Sequence, residues 1–242
     1  MVRISTGVSG LDEMLGGGFP RNRIVLVRGG PGSGKTTMSM QFVVDGIIKN
    51  EPGIYVTLEE PLDLVRENMK LFGWNIDDYE ERGLLRLIDG SKLVSKDFGS
   101  TRRDYQPKLV MTGITDILRR SVAQFGAKRL AVDPITSAVI QQRFPTDKRF
   151  EILELIGTLR KLNCTSLISS EFSSSAGASG FYVEEYLADG VIVLAKTLNN
   201  FKLIKTARIE KMRGIKHDDQ PRKYEINEKG LKIFNTESIN IP

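Results

Sequence analysis

The sequence predicts an α/β fold: a mostly parallel, twisted sheet flanked by helices, with antiparallel strands toward the C-terminal end. Three observations point there. Short apolar runs alternate with helix-period stretches up to about residue 170. The first long run, Ile24-Val25-Leu26-Val27, opens into Gly29-Gly30-Pro31-Gly32-Ser33-Gly34-Lys35-Thr36-Thr37, which matches G-x-x-x-x-G-K-[ST] at every fixed position. Beyond residue 190 the apolar runs are joined by turn pairs such as Asn199-Asn200 and Lys229-Gly230.

The elements follow in order. Ile24–Val27 is a strand, and a helix runs over Lys35–Lys49. Ile54–Leu58 is the next strand, followed by a helix over Pro61–Phe72 with proline in its first turn. Leu84–Ile88 reads as a strand and Leu109–Phe125 as a helix stopped by Gly126. Leu130–Val132 is a short buried strand. Thr146–Leu162 is helical, capped by Thr146 or Asp147 and ended at Asn163. Ser166–Ser169 is another strand. Val191–Leu194, Phe201–Met212, Lys223–Ile226 and Leu231–Phe234 then extend the sheet as antiparallel hairpins. Ser91–Lys108 and Ser173–Gly180 read as loops, and loops of that length are often functional.

Length and composition bound the function. At 242 residues the chain suits one α/β domain over 1–242, because no linker-like stretch divides it. The net charge of +5 permits an acidic partner without requiring one. The single cysteine, Cys164, forms no internal disulfide and fits a buried position in a cytoplasmic protein. No apolar run approaches the roughly 20 residues of a membrane helix, so no membrane partner is expected. With one histidine and one cysteine, a zinc-type cluster is excluded.

The glycine-rich run carries the chemistry. Glycines let the backbone curl so that the N–H groups of Gly30, Gly32, Ser33, Gly34 and the following turn face a polyphosphate, while Pro31, which has no N–H, shapes the loop. The helix start adds favourable dipole charge. Lys35 is expected to reach the β- and γ-phosphates, Thr36 to ligate Mg²⁺ and Thr37 to complete the turn. The ligand is thus a nucleoside triphosphate. Leu130-Ala131-Val132-Asp133 ends in an aspartate placed to hold the metal through its water shell. Glu59 and Glu60 close the second strand on the side where ligands lie in parallel sheets. Either can orient or deprotonate water; the alternative is that they only open the next helix, where acidic residues suit the dipole. Two adjacent carboxylates repel, which raises one pKa.

Several separated motifs resemble the RecA-like ATPases, and most closely a single KaiC-type domain. They are Ser5–Pro20 leading into the phosphate loop, the Glu59-Glu60 pair, Asp133-Pro134-Ile135-Thr136-Ser137, and Tyr182–Asp189. The likeness runs from about residue 4 to 235. It implies a RecA-like P-loop core, ATP and Mg²⁺ as cofactors, and Glu59 or Glu60 as the catalytic carboxylate beside Lys35. Lys211-Met212-Arg213-Gly214-Ile215-Lys216-His217 matches the KaiC pattern K-x-R-G-x-x-H. The resemblance therefore implies that Lys211, Arg213 and His217 enter the neighbouring subunit's site in a head-to-tail assembly, a hexameric ring; a solvent-facing basic hairpin tip is the alternative. Glu171, at the end of the Ser169-Ser170-Glu171 strand, resembles KaiC at the place where the family senses the γ-phosphate; a capped strand end is the alternative.

KaiC carries two such domains in tandem, whereas one is expected here, and Gln141–Arg149 lacks the Ser-Thr pair that clock proteins phosphorylate, so autophosphorylation of that type is not expected. The chain resembles the stand-alone proteins grouped with archaeal RadA paralogues. That implies single-stranded DNA as a partner in recombination or repair, met by loops facing the ring channel. Arg143, Lys148 and Arg149 beside Phe144 supply cations with an interleaved aromatic. The competing reading is a nucleotide-gated scaffold acting through a recombinase or another protein partner, with hydrolysis resetting it.

Overall fold

The computed structural model describes residues 1–96, 107–139, 145–172, 183–199 and 202–238. In chain order the elements are β1 (Arg3–Ile4), α1 (Leu11–Met14), β2 (Phe19–Pro20), β3 (Ile24–Gly29), α2 (Lys35–Ile48), β4 (Gly53–Thr57), α3 (Leu62–Lys70), α4 (Ile76–Glu81), β5 (Leu85–Asp89) and α5 (Ser91–Lys96). There follow α6 (Pro107–Phe125), β6 (Arg129–Asp133), α7 (Thr136–Val139), α8 (Pro145–Lys161), β7 (Thr165–Glu171), α9 (Val183–Leu187), β8 (Gly190–Asn199), β9 (Lys202–Met212), β10 (Arg222–Asn227) and β11 (Gly230–Ser238).

Nine strands form one sheet in the order β11-β10-β9-β8-β3-β7-β6-β4-β5, and β1 pairs with β2 in a small separate ribbon. Strands β3 to β8 run parallel, while β9, β10 and β11 return antiparallel. The central strands are buried on both faces, so they read as unbroken apolar runs. One face packs on α2 through Val25, Val27, Met40, Val43 and Ile47. The other packs on α6 and α8 through Leu26, Val132, Leu118, Ile152 and Leu159. At roughly 25 cal/mol per Å² of apolar area removed from water, these two cores are the dominant stabilising term.

The sheet class agrees with the expectation from the pattern, and four local readings are corrected. β8 pairs parallel with β3, so the antiparallel part begins one strand later, at β9. Pro61 sits just before α3 as its cap residue (φ −59°, ψ 146°), not inside it. Pro145 opens α8, which puts Thr146 and Asp147 in the first turn and not at the cap. Ser91–Lys96 is helical, where a loop was expected. Of the basic and aromatic cluster assigned to DNA, Arg143 and Phe144 lie outside the described residues, as do residues 173–182.

Register fixes the site. Gly29 is level with Glu171, and Thr57 with Asp133, so the carboxyl ends of β3, β7, β4 and β6 meet at one edge of the sheet. That edge lies where β3 separates its neighbours β7 and β8, the place where open α/β sheets leave a crevice.

Candidate nucleotide-binding cleft

The loop between β3 and α2 is shaped by its glycines. A Cβ on Gly29 would lie 2.3 Å from Ser33 Oγ. Gly34 has φ +92°, and a Cβ there would lie 2.5 Å from Ile226 Cδ1. The loop is held from behind: the Tyr224 hydroxyl donates to Ser33 O at 2.6 Å, and Lys196 Nζ donates to Pro31 O at 2.6 Å. Neither Lys196 nor Tyr224 is singled out by the sequence, because each comes from a strand distant along the chain.

The loop borders a cleft of about 220 Å³. Pro31, Gly32, Lys35 and Thr36 form one wall; Tyr55, Thr57, Glu59 and Glu60 form another; Asp133, Pro134 and Glu171 complete it. Gly30, Ser33, Gly34 and Thr37 belong to the loop and first turn behind that wall. Ser33 and Thr37 are buried. Lys35 is also buried, with Nζ 3.0 Å from Gly29 O, 3.3 Å from Gly30 O and 3.7 Å from the Glu171 carboxylate. A cation folded onto carbonyls at the loop mouth has a short path to an incoming phosphate.

Asp133 is the electrostatic centre. Its Oδ2 accepts from Thr36 Oγ1 at 2.7 Å and from the Tyr55 hydroxyl at 2.8 Å, while Ser169 Oγ donates to Oδ1. Burial, then the Asp133 charge, pushes the Tyr55 phenol well above its usual value, so it stays a donor. Among the described residues no group of three or more His, Cys, Asp or Glu could hold a metal alone. The Thr36 hydroxyl and Asp133 carboxylate fit Mg²⁺, a hard cation that keeps waters and takes phosphate oxygens for its remaining positions. Tyr55 and Ser169 escape the sequence reading; the available signal is a hydroxyl residue inside an otherwise apolar strand.

The glutamate pair is divided by environment. Burial raises the Glu60 carboxyl, and the charges of Asp133 and Glu59 raise it further. Its Oε2 is buried with no hydrogen-bond partner among the described residues. Glu59 is exposed, with Ser137 Oγ 3.4 Å from its Oε2. Thr57 Oγ1 donates to Glu60 O at 2.7 Å and fixes the turn that separates the two. The repulsion anticipated for adjacent carboxylates thus falls on Glu60, with burial as the larger cause.

The basic motif lies elsewhere. Met212 pairs with Gly190, which pairs with Val25, and Arg213 N donates to Asp189 O at 2.8 Å. Lys211 and Arg213 are therefore level with the start of β3, about 16 Å of strand from the loop at its end. Lys211 Nζ donates to Glu185 O at 2.6 Å, and Arg213 Nη2 to Tyr186 O at 3.0 Å. Burial, then the Arg213 charge, lowers the Lys211 pKa. His217 Nδ1 is 3.4 Å from Ile215 O. These three residues are not among those that line their own chain's cleft.

The comparisons agree with this geometry. Residues 4–238 match the family model described as ATPase: KaiC. The chain is 35% identical over 246 residues to a UPF0273 protein of Thermotoga maritima, covering 97% of each. It is 32% identical over 235 residues to the circadian clock oscillator protein KaiC of a Nostoc species, covering 96% of this chain and 44% of that protein. A solved KaiC-like protein from Pyrococcus horikoshii superposes with a TM-score of 0.82 at 31% identity, covering 96% of this chain and 99% of that one. A nine-stranded sheet with a phosphate loop, an aspartate facing the loop's threonine, and a family match over nearly its full length place the chain in one group: it belongs to the KaiC family of ATPases.

Proposed function

We propose that this chain acts as a single domain that binds and slowly hydrolyses ATP with Mg²⁺, in a head-to-tail assembly whose sites are completed in trans. The carrying observation is the double placement of its charges: an acidic, lysine-bearing cleft at one end of the sheet and Lys211 and Arg213 at the other. Loop amides and Lys35 hold the triphosphate. Thr36 and Asp133 would hold the metal, which would neutralise charge on the triphosphate. Glu60, raised and without a partner on Oε2, takes the proton of the attacking water, and Glu59 shapes the approach. Lys211, Arg213 and His217 of one subunit meet the γ-phosphate of the next. Such a contact is heterologous, and it closes as a ring, here read as a hexamer. Arg213→Ala should retain fold and MgATP binding while losing roughly 10³-fold or more in turnover. Normal turnover in that variant contradicts the trans site.

A second reading adds single-stranded DNA, with a role in recombination or repair in the cytoplasm. Its support is the start of α8, where Lys148 and exposed Arg149 precede Phe150, 70% exposed. Cations beside an exposed ring suit phosphates and stacked bases. Affinity should fall steeply with salt and turnover should rise with DNA. Turnover indifferent to DNA, with nucleotide-dependent capture of a protein, favours the scaffold.

A further inference from the structure

Lys211 and Arg213 do not stand alone; each is held by the carbonyl end of α9. A helix of five residues has no stability of its own. Its position must come from its contacts: Val183 and Leu187 pack on the core, Arg160 Nη2 donates to Leu187 O at 2.8 Å, and two acidic side chains tie it to the sheet. Glu184, 1% exposed, accepts from Ser170 Oγ at 3.0 Å. Glu185 pairs with Arg28, which is 4% exposed on β3, the strand that ends in the phosphate loop. The next two links follow directly: Glu185 O accepts from Lys211 Nζ and Tyr186 O from Arg213 Nη2. Past the helix, Asp189 accepts from Ile24 N and sits 4.0 Å from Arg213.

We propose that Glu185 is a positioning residue for the neighbouring subunit's reaction. Through its ion pair with Arg28 it fixes α9, and α9 fixes the cations that Lys211 and Arg213 present across the interface. The inference rests on the trans reading above and goes beyond it by naming what aims the donated charges. A second link runs through Ser170 to Glu171, which approaches Lys35 of the chain's own cleft. The same five residues thus touch the cleft strand ends at one end and the donated cations at the other.

Subunit mixing tests it. Glu185→Gln removes the charge that faces Arg28. Rings of Glu185→Gln alone should lose about tenfold to a hundredfold in kcat, as a misplacement of about 1 Å does. MgATP affinity by calorimetry should stay within about twofold, because the variant's own loop, Lys35 and Asp133 are intact. An equal mixture with Lys35→Ala should recover about one quarter of the wild-type rate, the share of intact clefts that meet an intact donor in random rings. Arg213→Ala mixed with Lys35→Ala is the control. If the control recovers while the Glu185→Gln mixture does not, Glu185 acts within its own cleft and the proposal is overturned. Wild-type kcat in Glu185→Gln overturns it as well. If the control itself fails, the trans reading falls and takes this one with it. Should Glu185→Gln lose MgATP binding, Glu185→Asp, one methylene shorter with the charge kept, carries the same comparison.

Discussion

Thr36 and Tyr55 donate to the same oxygen of Asp133, at 2.7 and 2.8 Å. One hydroxyl begins the helix after the phosphate loop, and the other comes from a neighbouring strand. Together they fix which carboxylate lone pairs face the cleft.

Tyr55→Phe therefore removes an orienting donor and leaves the fold in place. Outer partners of this kind are worth about 10–100-fold in metal affinity. The Mg²⁺ concentration for half-maximal ATPase should rise within that range, while MgATP still binds. An unchanged Mg²⁺ dependence refutes the assignment.

Glu60→Gln should separate stability from turnover. Burial, then Asp133, raises its folded-state proton affinity above the ordinary value of 4.5. The native state thus binds more protons than the unfolded chain between those values, and stability is lost as pH rises through the folded-state pKa. At neutral pH the ionised carboxyl is a burden that glutamine relieves, so the unfolding midpoint should rise. Turnover should fall by about 10²–10⁴, the worth of a general base. In the wild type, kcat should drop on acidification at a pH above that of an ordinary carboxylate. A Glu60→Gln enzyme with normal turnover and lowered stability contradicts both parts.

Far from the cleft, Arg129 is 1% exposed and bonds Asp45 at 2.9 Å, Glu51 at 2.8 Å and the carbonyls of Ser5 and Phe42. Its guanidinium also lies 4.9 Å from the Phe42 ring. Arg129→Met should cost about 1–3 kcal/mol in urea unfolding, because Asp45, Glu51 and the Ser5 and Phe42 carbonyls lose a buried donor, while Lys49 still pairs with Asp45 and Arg21 with Glu51. Gly46→Ala should also destabilise, since its Cβ would lie 2.4 Å from Arg129 Cδ. A cost below about 1 kcal/mol for Arg129→Met contradicts the network's role.

Cys164 is buried, and desolvation pushes its thiol up to about 11. Alkylation near pH 8 should be slow in the folded protein and fast after unfolding. Rapid labelling of the native chain contradicts this burial.

The sheet was legible because its central strands are buried on both faces and so read as continuous apolar runs. The phosphate loop, Thr36 and Asp133 were legible for a different reason: the loop's residue types are dictated by its backbone, and an aspartate at a strand end has one obvious place to point. Tyr55, Ser169, Lys196 and Tyr224 were not. Each acts through a partner far away in sequence, from 36 to 191 residues distant, and only the strand order brings them together. α4 and α9 were missed because six and five residues are too few to show a helical period. The orientation of β8 was misread since apolar spacing is the same in parallel and antiparallel strands.

The claim beneath all of this is that the amides and Lys35 of residues 29–37 receive a triphosphate. Titration calorimetry with MgATP tests it most directly, on the wild type and on a folded Lys35→Ala chain. The account predicts saturable heat for the wild type and at least a roughly tenfold weaker response for the variant, the loss of one charged hydrogen bond to phosphate. No heat from the wild type at millimolar MgATP, or equal binding by both, would contradict it.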